Sequence, residues 1–91
     1  MRKPQDLPVL LAAAAEIKSR RASIKISQEE LAHRAGVHRS FVARLELVET
    51  QPSLAVLFRL ADGLEVDVVE LIQAVALRYR REVGRSRRAA R

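Results

Sequence analysis

A chain of 91 residues has room for one domain, and its composition is that of a folded protein: 48% of the residues are hydrophobic and 31% are charged. The chain has no cysteine, which excludes disulfides and thiol chemistry and is typical of a reducing cytosol. Aromatic residues make up only 3%, too few for a surface that stacks single-stranded nucleic acid. A core of this size is marginal for a lone monomer, so we expect oligomerisation to help.

The net charge of +6 is concentrated at the two ends of the chain. Residues 1–26 hold six basic and two acidic side chains, and residues 78–91 hold seven basic and one acidic. The segment between them, 27–77, holds four basic and eight acidic side chains. Basic ends favour a polyanionic partner, nucleic acid or an anionic membrane surface, over the alternative that they only keep the protein soluble.

The apolar segments are too short for a membrane span or a secretory signal. A span needs about 20 apolar residues, whereas the run near the N-terminus, 9–15, has seven. Asp6 and Pro8 interrupt the approach to this run, and a helical pattern continues after it. We therefore expect a cytoplasmic protein that does not enter membranes.

Capping signals and periodicity predict three helices in the first half of the chain. The first covers about residues 8–21, with a proline in its first turn, where the missing N–H is tolerated. Ser27 begins a capping box for a second helix at 28–35, which stops at Gly36, a natural left-handed cap. A third helix is expected over about 39–48. The positions expected to face the core are Leu10, Ala13, Ala14, Ile17, Leu31, Ala32, Val42 and Leu45.

The same signals predict two more helices in the second half of the chain. Ser53 caps the fourth, which ends at Gly63. Its predicted apolar stripe consists of Leu54, Leu57, Phe58 and Ala61. The fifth helix, 67–81, is apolar on nearly every side, so we expect it to form a dimer interface through Val69, Val75, Ala76 and Tyr79. The Arg-rich segment 82–91 is expected to be a flexible tail that adds phosphate contacts.

Residues 27–46, SQEELAHRAGVHRSFVARLE, have the pattern of a helix-turn-helix, because two short helices are joined by a tight turn at a glycine. On the third helix of the chain, which is the second of this motif, Val42 and Leu45 share the side that faces the core, and Arg39 and Arg44 lie on the opposite side. Such a helix, with long cationic donors and small residues between them, fits a major groove about 12 Å wide.

Several elements agree in register with a known family: S-Q-E-E-L-A, A-G-V, R-L-E at the end of the third helix, P-S-L before the fourth, and L-E-V-D-x-x-E-L-I. Over about residues 10–75 the chain resembles the lambda-repressor-like, Cro-type helix-turn-helix domains of the XRE family. The resemblance implies an all-α, five-helix DNA-binding domain over residues 1–81. The fifth helix would be extended, and the basic tail would follow it.

The resemblance also implies which residues contact double-stranded DNA. The family reads bases with the start and outer face of the third helix, and it contacts phosphates with the start of the second helix and the loop before the fourth. His38 is expected to cap the third helix or to contact a phosphate. The residues implied at the DNA are Gln28, His38, Arg39, Ser40, Ala43, Arg44, Thr50 and Gln51.

The chain departs from the family at Leu47 and Val48, where relatives carry glycine or an asparagine–glycine pair. The departure predicts a third helix that continues past residue 46, and the geometry of the loop carrying Thr50 and Gln51 depends on where that helix ends. For Leu47, half-buried packing is favoured over an exposed contact to a thymine methyl group.

Together these features predict a homodimeric, sequence-specific transcription regulator, a repressor that binds an inverted-repeat operator. No enzyme motif, cofactor or metal is expected, since His33 and His38 are separated by a turn and have no further ligand beside them. Two alternatives stay open. One is an antitoxin whose fifth helix or tail binds a toxin protein, and the other is a non-specific architectural DNA binder.

Overall fold

The computed structural model of the protein describes residues 6–89, and over this range the chain forms five α-helices and no strand. The helices are α1 (Leu7–Ser23), α2 (Gln28–Ala35), α3 (Arg39–Glu46), α4 (Leu54–Gly63) and α5 (Val68–Ala89). The predicted all-α class is confirmed. The parts of the predicted domain and tail at residues 1–5 and 90–91 lie outside the described residues. No helix within 6–89 is long and apolar enough to cross a membrane.

The main core lies where α1, α2, α3 and α4 meet. Its buried members are Ile17, Leu31, Ala32, Ala35, Val42, Leu45, Leu60 and Leu64. Every core position predicted on α1, α2 and α3 is buried, as expected from the helical spacing of those residues.

The stripe predicted on α4 is wrong in part. Ala61 is buried, but Leu54 and Phe58 are 71% and 50% exposed, and Leu60 takes the central core position. The reason is that α4 carries apolar residues on two overlapping faces with the same helical spacing. Periodicity alone cannot choose between such faces, and the packing against α2 decides.

Four helices, α1 to α4, end in the same hydrogen-bonded motif. At the end of α1, the N–H of Lys25 donates to the carbonyl of Ala22 (3.1 Å) and the N–H of Ile26 donates to that of Arg21 (3.2 Å). This is the Schellman arrangement, in which a left-handed residue lets the chain leave the helix while the last carbonyls stay bonded. The equivalent left-handed residues are Lys25, Gly36, Val48 and Glu65, with φ of 59°, 69°, 63° and 60°.

Only one of these four left-handed residues is a glycine, and this explains why the predicted end of α3 is wrong. The sequence has no stop signal at residues 47–48, so the helix was expected to continue. Instead α3 ends at Glu46, and Val48 adopts a left-handed conformation that is strained for a β-branched side chain. The two hydrogen bonds of the motif, from the N–H groups of Val48 and Glu49, hold this turn closed.

Helix α5 packs antiparallel along α1. Arg78 donates to the carboxylate of Glu16 (2.7 Å), and nearer the start of α5 the carboxylate of Glu70 lies 3.7 Å from Arg20. The predicted end of α5 near Arg81 is wrong, because the helix continues to Ala89. No proline interrupts the added turns, which include an ion pair of 3.1 Å between Glu82 and Arg85.

An apolar groove of about 330 Å³ lies between α1, α4 and α5. Its lining includes Val9, Leu57, Ile72, Ala76 and Tyr79. Val75, predicted to lie in the dimer interface, also lines this groove, but it is only 9% exposed because it packs on Ala12 and Ala13 within the same protomer. The exposed apolar residues of α5 therefore lie beside Val75 and not at it.

The left-handed residue at the end of α1 gives a test of the turn geometry. Lys25→Gly is expected to raise the free energy of unfolding by about 0.5–1 kcal/mol, because glycine adopts this conformation without steric strain. Lys18→Gly, the same substitution at an exposed position inside α1, is expected to lower it by about 1 kcal/mol. Chemical denaturation of both variants measures the two effects, and equal signs would contradict the assignment of strain to Lys25.

Candidate nucleic-acid interface

Helices α2 and α3 form a helix-turn-helix around Gly36. The φ of 69° at Gly36 turns the chain, and Val37 then packs against the main core. At the start of α2 the hydroxyl of Ser27 accepts the N–H of Glu30 (3.0 Å), as its capping role predicts. The two helices are thus fixed at the first residue of α2 and at the turn between them.

Helix α3 separates its residues into two faces. Val42 and Leu45 are buried in the main core, and Phe41 is half-buried against it. On the other face Arg39, Ser40 and Arg44 are exposed, with Ala43 half-buried between them. The predicted division of the helix is confirmed, and the structure brings these four predicted site residues together on one surface.

Arg39 and Arg44 differ from the arginines of α1 and α2. Arg20, Arg21 and Arg34 are each held by a carboxylate at 2.6–3.0 Å. By contrast, the side chains of both arginines of α3 have no hydrogen-bond or ion-pair partner within residues 6–89. Their guanidinium groups, with five N–H donors each, are therefore available to an acceptor outside the protomer.

A buried carboxylate fixes the carboxyl end of α3. Glu46, whose side chain is 4% exposed, accepts two hydrogen bonds from Arg21 of α1, at 2.8 and 2.9 Å, and one from Gln28 of α2, at 2.9 Å. Arg21 also donates to the carbonyl of Ile26 (2.9 Å). Burial by itself raises the pKa of Glu46, but hydrogen bonds from Arg21 and Gln28 outweigh it and hold that pKa below its ordinary value.

This cluster involves a residue that the sequence assigned to another role. Gln28, expected to contact a phosphate, donates one amide N–H to Glu46 in the structure. An amide has two such donors, so a phosphate contact by the second is compatible with this bond. Sequence reasoning missed Arg21 and Glu46 because they are 25 residues apart and no spacing rule connects them.

The other predicted contacts lie around α3. His38 occupies the position before the helix, but its side chain makes no capping hydrogen bond, so that alternative is wrong. Thr50, half-buried, and Gln51, exposed, lie in the connection between α3 and α4. Gln51 also borders the apolar groove, together with Pro52.

Half of the eight acidic side chains of segment 27–77 form ion pairs within the described residues, namely Glu30, Glu46, Glu65 and Glu70. Arg34 lies 3.0 Å from Glu30 and 3.1 Å from Glu65, and it also donates to the carbonyl of Gly63 (3.0 Å). Glu46 is paired with Arg21. Ion pairing offsets part of the negative charge of this segment, and the exposed face of α3 carries two positive charges that no carboxylate of the described residues pairs.

The helix-turn-helix family model matches residues 17–71, more than half of the chain. The chain therefore belongs to this family, the XRE-type helix-turn-helix proteins with the lambda-repressor-like fold, and the resemblance drawn from its sequence is confirmed. It is a DNA-binding transcription regulator.

Several solved structures are similar. The clp gene regulator ClgR from Corynebacterium glutamicum superposes with a TM-score of 0.79 at 21% identity, over 90% of this chain and 87% of its own. The restriction-modification controller C.AhdI from Aeromonas hydrophila is 31% identical over 68% of this chain and 94% of its own, with a TM-score of 0.65. The controller C.Esp1396I, solved as a tetramer on its natural 35 base-pair operator, is 22% identical over 78% and 93%, with a TM-score of 0.72. No protein of curated function matches the sequence significantly.

The buried carboxylate predicts a large mutational effect. Glu46→Ala is expected to lower the free energy of unfolding by about 3 kcal/mol, because it leaves the guanidinium of Arg21 partly buried without its acceptor. The control Glu30→Ala removes an exposed pair and should have a much smaller effect. Chemical denaturation at neutral pH measures both, and similar losses in the two variants would contradict the anchoring role of Glu46.

Acid should remove the same stabilisation. The pKa values of Glu16 and Glu46 are lowered in the folded protein, so their contribution is present above their unfolded pKa and is lost as the pH falls through the folded value. The free energy of unfolding is expected to fall between about pH 5 and pH 2, and to fall less in Glu46→Gln. Denaturation titrations across this range measure the difference. An identical acid dependence in the variant and the native protein would be inconsistent with the role of Glu46.

Proposed function

We propose that the protein is a homodimeric repressor that binds an inverted-repeat operator, with α3 of each protomer lying in a major groove. The observation that carries this proposal is the pair of unpaired arginines on the exposed face of α3. A protein bound at such a site excludes other proteins from the same duplex, which is the basis for expecting repression.

The spacing of the α3 residues suits the reading of bases. Arginine is the best bidentate donor to the O6 and N7 atoms of guanine. At about 1.5 Å per residue, Arg39 and Arg44 are separated by roughly 7.5 Å along the helix, about two base-pair steps. Ser40 and Ala43 are small, so the helix can approach the base edges closely between them. The two arginines would then address different base pairs.

The relatives support operator binding. C.Esp1396I is a controller protein solved on operator DNA, and C.AhdI, a controller of the same kind, shares 31% of the aligned residues with this chain. Neither the family nor its solved members lends support to the antitoxin alternative. For Gln28, His38, Thr50 and Gln51 we retain contacts to the phosphate backbone, which position a protein on DNA without reading its sequence.

The apolar groove and its borders are the proposed dimer interface. Ile72, 43% exposed, and Tyr79 line the groove on α5, and Leu57 lines it on α4. Leu54 is one turn from both Leu57 and Phe58, at spacings of three and four residues, so the exposed Leu54 and Phe58 extend the apolar surface around α4 from the groove. A continuous apolar surface on two helices is the kind that a second copy covers by two-fold pairing.

Loss of one arginine tests the reading of bases. Arg39→Ala should weaken operator binding by about 1–3 kcal/mol per half-site and relax the preference at one base pair in each half. Arg59→Ala, which removes an exposed, unpaired arginine of α4, should leave the preference unchanged at every position. Titrations against the operator and all its single-base variants at one salt concentration measure this. Full discrimination by Arg39→Ala would mean that Arg39 does not read a base pair, whereas equal affinity of the native protein for all sequences would support the architectural alternative.

A charge placed in the groove tests the dimer. Ile72→Asp should give a folded monomer with weak operator binding, because dimerisation would bury the new carboxylate. The control Gln73→Asp adds the same charge at an exposed position outside the groove and should remain dimeric. Sedimentation at micromolar concentration, with helicity measured by circular dichroism, distinguishes the two. A dimeric Ile72→Asp variant would mean that the dimer interface lies outside the groove.

A further inference from the structure

The end of α3 carries an exposed apolar side chain that the fold does not use. Leu47 is 67% exposed, so the half-buried packing expected from the sequence is wrong. It does not pack against the main core, and it does not line the apolar groove proposed for dimerisation. Among the large, exposed apolar side chains of residues 6–89, Leu47 is the only one in or directly beside the helix-turn-helix segment 27–46.

Leu47 lies on the same face of α3 as the proposed base-reading residues. Its N–H donates to the carbonyl of Ala43 (3.1 Å), so the helical path continues through it. At about 100° per residue, Arg39, Ala43, Ser40 and Arg44 span an arc of roughly 140°, and Leu47 falls near the middle of that arc. It is one turn further along the helix than Ala43.

The backbone around Leu47 is fixed on both sides. Glu46 is held by Arg21 and Gln28, and Val48 turns the chain away in its left-handed conformation. Leu47 is therefore the last residue on this face before the chain leaves it. A side chain on a backbone held in this way loses little further freedom when it contacts a ligand.

We infer that Leu47 is a specificity-determining residue that contacts the C5 methyl group of a thymine in the operator; this inference rests on the proposed function. The thymine methyl is the apolar group that base pairs display in the major groove. A leucine cannot donate or accept a hydrogen bond, so it favours this group over the polar edges of the other bases. Leu47 lies about 4.5 Å beyond Arg44 along the helix, roughly one base-pair step further.

The experiment removes the methyl group from the DNA and the leucine from the protein. An operator is first selected from random duplexes with the native protein. Each thymine of one half-site is then replaced by deoxyuridine, which keeps the base pair and lacks only the methyl group. Affinities are measured for the native protein, for Leu47→Ala, and for Leu77→Ala, which truncates a leucine of α5 that is 49% exposed and outside the groove.

At one thymine, deoxyuridine should weaken the native protein and Leu77→Ala by about fourfold, the scale of one buried methyl group. Leu47→Ala should be weaker on the native operator and insensitive to that replacement. Equal effects of deoxyuridine on the native protein and on Leu47→Ala would overturn the inference, and so would the absence of any effect on the native protein at every thymine. So would a loss of the dimer in Leu47→Ala, because the leucine would then belong to a protein interface. If the native protein selects no site, the proposed function fails and the inference fails with it.

Discussion

The position of α3 depends on one buried carboxylate. Glu46 is the point at which α1, α2 and α3 meet, because it accepts hydrogen bonds from Arg21 and from Gln28. A buried ion pair of this kind gives little net stability over apolar packing, but it is specific in geometry, since both carboxylate oxygens must be bonded. Its effect is to fix the angle and the axial position of α3, the helix whose outer face we propose to contact DNA.

Ion pairs also connect the other helices of the domain. The carboxylates at the helix junctions are paired with arginines of α1, α2 and α5, and this pairing connects α5 to α1 through Glu16. The arginines left without partners on α3 are those that face outward. The arginines in ion pairs and the arginines proposed to contact DNA are thus different residues, so we expect a substitution of an outward arginine to leave the packing of the helices intact.

Much of the fold follows from the sequence, and the exceptions have physical reasons. The bounds of α2 are readable because Ser27 and Gly36 are strong signals at its two ends, and the core face of α3 follows from the spacing of Val42 and Leu45. The end of α3 is not readable, because Val48 adopts a conformation that sequence rules reserve for glycine. The phase of α4 and the pairing of Glu46 depend on long-range packing, which leaves no local pattern. Of the site, the exposed face of α3 was predictable, and the exposure of Leu47 was not.

The apolar surface on α4 and α5 has a consequence for dose response. If two protomers must pair through this surface before either holds its half-site firmly, the population of active dimer at low concentration rises with the square of the protomer concentration. Occupancy of an operator then changes more steeply than the amount of protein. A small change in synthesis or proteolysis would then give a larger change in transcription without any ligand. The protomer concentration at which this happens would be set by the dissociation constant of the dimer that forms through the groove.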